Sequence, residues 1–172
     1  KFSKLTPKIS LRFNPSDMKN YSDVNREINT DNIFNLNRLA MEDTLETGES
    51  LTVGLGYKVE DKADYDKYLK FDLATVFRNE EVNEISKGST LNKKKSNIFG
   101  SLENRFSDFW TIEYDFAVTN NLNKVEFSSV NSTFSLNNFV TTFNFVEKNG
   151  LMGNTNTLEN STTYKFDEKN HL

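Results

Sequence analysis

The sequence predicts an all-β protein: an antiparallel transmembrane β-barrel segment of about seven long strands, fewer than the eight or so that a closed membrane barrel needs. Three observations carry this prediction. Apolar and polar residues alternate strictly over long stretches, as in Leu51, Val53, Leu55, Tyr57 and Val59 separated by Thr52, Gly54, Gly56 and Lys58. Each stretch runs near the 9 to 11 residues, roughly, that a tilted strand needs to cross a bilayer. No run approaches the roughly 18 consecutive apolar residues of a membrane-crossing helix. A strand with one apolar and one polar face buries the apolar one against a second layer or in lipid.

The strands are read at 5–13, 49–59, 68–77, 109–118, 124–131, 137–146 and 157–166. The first carries Lys8, Ser10 and Arg12 on its polar side and Pro7 within it, which withholds a ladder donor. In the second, Gly54 and Gly56 leave part of one face bare, as strand bending, a bulge or room for a plug would require. The third alternates Phe71, Leu73 and Phe77 with Lys70 and Asp72, and the fourth alternates Trp110, Ile112, Tyr114, Phe116 and Val118 with Thr111, Glu113 and Asp115. The sixth carries Phe139, Phe143 and Phe145, and the last sets Leu158, Tyr164 and Phe166 against Glu159, Ser161, Thr163 and Lys165.

In a barrel, Leu51, Val53, Leu55, Phe71, Leu73, Trp110, Ile112, Tyr114, Phe116, Phe143, Phe145 and Tyr164 face lipid, with Trp110 and Tyr57 as interface anchors. Lys70, Asp72, Thr111, Glu113, Asp115, Ser161 and Thr163 then line a wet lumen. In a soluble sandwich the same polar residues are simply the solvated faces.

The connections run long, short, long, short at 14–48, 60–67, 78–108 and 119–123, the habit of barrels with long outer loops and short periplasmic turns. The rule then falters, because 132–136 is short where a long loop is due and 147–156 is longer than a tight turn.

Composition agrees with a membrane wall. Hydrophobic residues are 35% of the 172 and aromatics 13%, with 15 Phe, so the apolar content is concentrated in large rings. The mean hydropathy of −0.66 fits strands that are apolar at alternate positions only. A net charge of −4, with the densest basic run at Lys93–Lys95 lacking interleaved aromatics, argues against nucleic-acid binding. The absence of cysteine discriminates little between compartments. The chain opens on Lys1 rather than Met, as an excerpt of a longer protein does, and 1–172 reads as one segment of a larger barrel domain with no second domain.

Nothing points to catalysis, a cofactor or a metal. His171 stands alone at the chain's end without a nucleophile, and Leu172 is not the aromatic residue on which barrels often end. Asp61, Asp64 and Asp66 lack the spacing and glycine of a calcium loop, and Glu80, Glu81 and Glu84 beside Lys87 read as a charged surface loop.

One stretch exceeds the generic pattern: Asn32, Phe34, Asn37 and Arg38, then Asp43, Glu46, Gly48 and Ser50, leading into Gly54-Leu55-Gly56-Tyr57. A partly apolar loop turns back through an acidic corner and a glycine into a strand. This resembles the hallmark of the LptD family of lipopolysaccharide-assembly proteins. Thr6 to Pro15 upstream, and Gly100-Ser101-Leu102 through Trp110 and Tyr114-Asp115-Phe116 downstream, resemble the same family in the same order.

The resemblance implies a piece of the C-terminal β-barrel of an outer-membrane translocon in a Gram-negative bacterium. Such a translocon moves lipopolysaccharide to the outer leaflet without making or breaking bonds. It also implies contact with outer-membrane lipid, an LptE-like plug lipoprotein and an LptA-like periplasmic bridge. The family's lateral gate lies between its first and last strands, so no gate residue is expected here. The alternatives are a porin or ligand-gated outer-membrane receptor, and a soluble secreted β-sandwich adhesin or glycan-binding module.

Overall fold

Alternation gives every strand two chemically different faces, and the computed structural model, which describes residues 1–150 and 153–166, joins them into one sheet. Eight strands follow one another in sequence order, each hydrogen-bonded antiparallel to the next: β1 (Phe2–Asn14), β2 (Gly48–Glu60), β3 (Tyr68–Arg78), β4 (Ile98–Asn104), β5 (Trp110–Val118), β6 (Val125–Leu136), β7 (Phe139–Gly150) and β8 (Gly153–Tyr164). The sheet is open: among the described residues β1 and β8 do not pair. His171 and Leu172 lie outside the described residues.

The expectation of seven strands is corrected by β4, which lies inside the stretch read as the loop 78–108. The extra strand also reassigns the connections to the two ends of the sheet. With β4 counted, 15–47, 79–97 and 119–124 join strands at one end of the sheet, while 61–67, 105–109 and 137–138 join them at the other. The short connection at 137–138 therefore belongs to the short-turn end. Strands β6, β7 and β8 are also longer than expected, so 132–136 lies within β6.

Register fixes the faces, because directly paired residues point to the same side and neighbours along a strand alternate. Leu11 pairs with Leu51 and Leu51 with Phe77, while Phe71 pairs with Leu102 and Leu102 with Tyr114. These residues share one face, called here the open face. Asp72 pairs with Ser101 and Ser101 with Asp115 on the opposite face.

The core lies on that opposite, polar side of the sheet. Two long connections, 15–47 and 79–97, fold over it and bring Ile28, Ile33, Leu39, Met41, Val82, Ile85 and Leu91 against Ala74, Val76, Phe99 and Ala117. The connections also bind each other: the Tyr21 amide donates to the Glu84 carbonyl at 2.7 Å, and the Ser86 hydroxyl to the Val24 carbonyl at 2.6 Å. Ile33 is fully buried, whereas Leu11 on the open face is 81% exposed and Ile9 74%. Where the connections lie, the molecule therefore hides its polar sheet face and displays its apolar one.

Candidate functional site: a loop cluster on the polar face

Arg38 enters the polar face from the first long connection, within a turn in which Asn37 clamps Met41 by two hydrogen bonds. Its guanidinium is buried and fully engaged. Nε donates to Glu46 Oε2 at 2.8 Å, Nη2 pairs with Glu46 Oε1, and Nη1 donates to the Thr52 hydroxyl at 2.9 Å. Arg78, the last residue of β3, ion-pairs with the same Glu46 Oε1 and donates to the Thr47 carbonyl. Arg12 from β1 reaches the carbonyls of Asn35 and Leu36. The loop and β3 thus meet on one carboxylate, while β2 holds Arg38 through Thr52 and β1 holds the loop backbone through Arg12.

The electrostatics of this node are lopsided. Burial alone raises the Glu46 carboxyl, but the hydrogen-bonded Arg38 and the charges of Arg38, Arg78 and Arg12 outweigh it and hold the group below the usual carboxylate range. Gly48 completes the corner. It has φ +82°, and a Cβ there would come within 3.1 Å of an Arg78 nitrogen, so the turn into β2 requires both the left-handed backbone and the missing side chain.

A second contact lies deeper along β2. The Phe34 ring lies over Gly54, where an added Cβ would stand 2.8 Å from Cζ and 2.9 Å from the Leu73 carbonyl. Lys8 stands 5.8 Å from the centre of the same ring and bonds Asp72 at 3.2 Å, and Lys70 bonds Asp72 from the other side at 3.2 Å. Gly56 leaves space for the Asp72 carboxylate. Asn32 holds the loop's own turn by accepting from the Asn29 amide and donating to the Glu27 carbonyl.

The loops thin out toward the far half of the sheet. Lys148 of β7 ion-pairs with Glu27, and Asn97 donates to Glu126 at 2.7 Å. Around these residues lies a cleft of about 320 Å³ bounded by Phe99 and Phe127. Beyond it the polar face is bare: Asn131, Glu159, Ser161 and Thr163 are exposed. The open face carries polar groups in that half too, and they partner each other. Thr141 bonds Thr162 at 2.8 Å, Asn160 donates to Thr141 at 3.0 Å, and the Trp110 indole donates to Ser132 at 2.9 Å.

The structure brings Asn32, Phe34, Asn37, Arg38, Glu46, Gly48 and Gly54 into this loop cluster or against it. It does not bring Asp43 and Tyr57 there. Asp43 is exposed and pairs with Lys19 at 2.9 Å, and Tyr57 lies on the open face opposite Leu5. Leu51, Val53, Leu55, Phe71, Leu73, Trp110, Ile112, Tyr114, Phe116, Phe143, Phe145 and Tyr164 share the open face by register, and Lys70, Asp72, Thr111, Glu113, Asp115, Ser161 and Thr163 share the polar one. Sequence reasoning missed Arg78 and Thr52. Arg78 has the same parity as Lys70 and Asp72, a signal lost when the third strand is ended at residue 77.

The node that these residues build spans the hallmark loop and the strands around it, and a family model described as LptD, LPS transport system D, matches residues 2–169. The chain belongs to the LptD family. Comparison with curated proteins gives no match. Membership in the LptD family places the chain in lipopolysaccharide transport and assembly, a part of outer-membrane biogenesis, and its all-β antiparallel sheet agrees with a β-barrel protein.

Proposed function

We propose that this chain forms part of the wall of an outer-membrane translocon that delivers lipopolysaccharide to the outer leaflet. The observation that carries the reading is the inverted burial of the sheet. Leu11, Phe13 and Phe143 stand exposed on the open face while Thr52, Asp72 and Arg38 are buried on the polar one. A protein whose outer solvent is hydrocarbon hides its polar side chains and displays its apolar ones. The open-face set from Leu51 to Tyr164 is then lipid-facing, and Lys70, Asp72, Thr111, Glu113, Asp115, Ser161 and Thr163 line the lumen. Tyr57 and Trp110 sit toward the short-turn end as interface anchors.

In this reading the connections 15–47 and 79–97 plug the lumen beside β1–β4, pinned by the Arg38–Glu46–Arg78 node. The hydrated passage runs along the bare face of β6–β8, where Ser, Thr and Asn side chains offer neutral hydrogen-bonding groups to a glycan. The chain is one segment of a larger barrel domain, and its partners are lipopolysaccharide, outer-membrane lipid, an LptE-like plug lipoprotein and an LptA-like periplasmic bridge. Its work is passage, without a catalytic residue.

Conditional depletion of the full-length protein, with newly made surface lipopolysaccharide read by an impermeant label on intact cells, tests this. Surface arrival is expected to fail before other outer-membrane barrels are affected. Normal arrival would overturn the transport reading.

A further inference from the structure

Lys93, Lys94 and Lys95 form the densest basic run of a chain with net charge −4. Lys8, Lys19, Lys58, Lys67, Lys70, Lys87 and Lys148 all hold carboxylates, whereas these three have no ion-pair partner among the described residues. The place of Lys95 in the sheet is fixed. Lys95 forms a β-bridge with Phe77, flanked by the Arg78 amide donating to the Lys94 carbonyl at 2.8 Å and the Ser96 amide donating to the Val76 carbonyl at 3.0 Å.

Because bridge partners point to the same side, Lys95 stands on the open face beside Phe77, whose cross-strand partner on that face is Leu51. This is also the end of the sheet that carries the long connections, the outer end of a membrane barrel. An unpaired ammonium directly above an apolar wall lies at the level where lipid headgroups meet water. Glu49, paired with Phe13, is an acidic residue on the same face at this end of the sheet.

We propose that Lys95 anchors a binding site for the phosphorylated headgroups of outer-leaflet lipid, while Lys94, set opposite Arg78, faces the other side. The inference rests on the reading of the open face as lipid-facing. Charge complementarity selects an anionic headgroup, and continuity with the Phe77–Leu51 wall selects one attached to acyl chains rather than a soluble anion. Lysine suits this role as a flexible point charge that follows a mobile phosphate.

The test reconstitutes the full-length protein in nanodiscs containing equal amounts of bisphosphorylated and dephosphorylated lipid A and measures by mass spectrometry which of the two it retains. The wild type is expected to retain the bisphosphorylated form preferentially. The preference should fall roughly fivefold in Lys95→Gln, the attraction of one basic side chain to an anionic leaflet, and stay unchanged in Lys94→Gln. Lys62→Gln, an exposed lysine without an ion pair in the 61–67 turn at the opposite end, should leave it unchanged.

Equal retention of the two lipids, or an equal loss in Lys62→Gln, would overturn the site while leaving the membrane reading intact. Abolition of the preference by millimolar inorganic phosphate would overturn the headgroup assignment in favour of a simple anion site. A protein that does not insert into the nanodisc at all would remove the membrane reading and this site with it.

Discussion

Arg38 and Arg78, forty residues apart in the chain, share one oxygen of the Glu46 carboxylate in a pocket from which solvent is excluded. One negative charge balances two buried positive ones, with backbone carbonyls at Ile33 and Thr47 absorbing part of the excess. Removing the carboxylate leaves both guanidiniums without a counter-charge. Glu46→Gln is therefore expected to destabilise the folded barrel by about 3–5 kcal/mol, the range for breaking a buried pair. Urea unfolding in lipid vesicles measures it, and Glu46→Gln combined with Arg78→Met should cost less than the sum of the two single changes.

The same carboxylate predicts a pH dependence. Glu46 is held below its ordinary value in the folded protein. Between that depressed value and about 4.3, the unfolded chain binds more protons than the native one, so stability rises with pH. The contribution is complete above about 4.3 and disappears as pH falls through the native value. Unfolding midpoints taken from pH 6 downward should drop more in the wild type than in Glu46→Gln; parallel curves would mean that Glu46 is not the group responsible.

Gly54 predicts a packing effect. A methyl group there meets both Phe34 and the Leu73 carbonyl, and the carbonyl cannot move without shifting β3. Gly54→Ala should cost about 1–3 kcal/mol and lift the first connection from the sheet. Phe34→Ala in the same chain should recover only part of the loss, because the backbone contact remains. Limited proteolysis of the 15–47 connection reports the lifting directly.

Facing predicts the response to charge. Arginine at Leu55 or Phe143, on the open face near mid-strand, is expected to cost about 2–4 kcal/mol in a bilayer. Lysine at Thr111 or Ser161, on the polar face, should be mild. Equal costs at all four positions would contradict the assignment of lipid to the open face.

Much of the sheet was legible because alternation is a local signal. The pattern Leu51 to Val59 marks β2 without knowledge of any partner, and the same holds for β3 and β5. β4 was not legible, and Gly100 explains why. Gly100 is paired with Phe116, whose ring lies where a Gly100 side chain would stand. The apolar cover of β4 at that point is supplied by β5, so the strand's own sequence lacks it. The loop cluster was only half legible. Arg38 and Glu46 stood out through family likeness, but Ile28, Ile33, Val82, Ile85 and Leu91 follow no period, and their shared core arises only once two connections separated by β2 and β3 meet.

That meeting sets an order of events for the nascent protein. The first connection cannot reach its final state with the β1–β2 hairpin alone, because its anchors Arg78, Glu84 and Ser86 are supplied later in the chain. Until β3 and the segment after it arrive, Glu46 lacks one of its two cations and Tyr21 lacks its carbonyl acceptor. Contacts of such separation form late and slow the final step. In the proposed membrane wall, a newly inserting chain would thus take its place with its interior still vacant, and occlusion of that interior would be timed by the connection after the third strand rather than by the second strand.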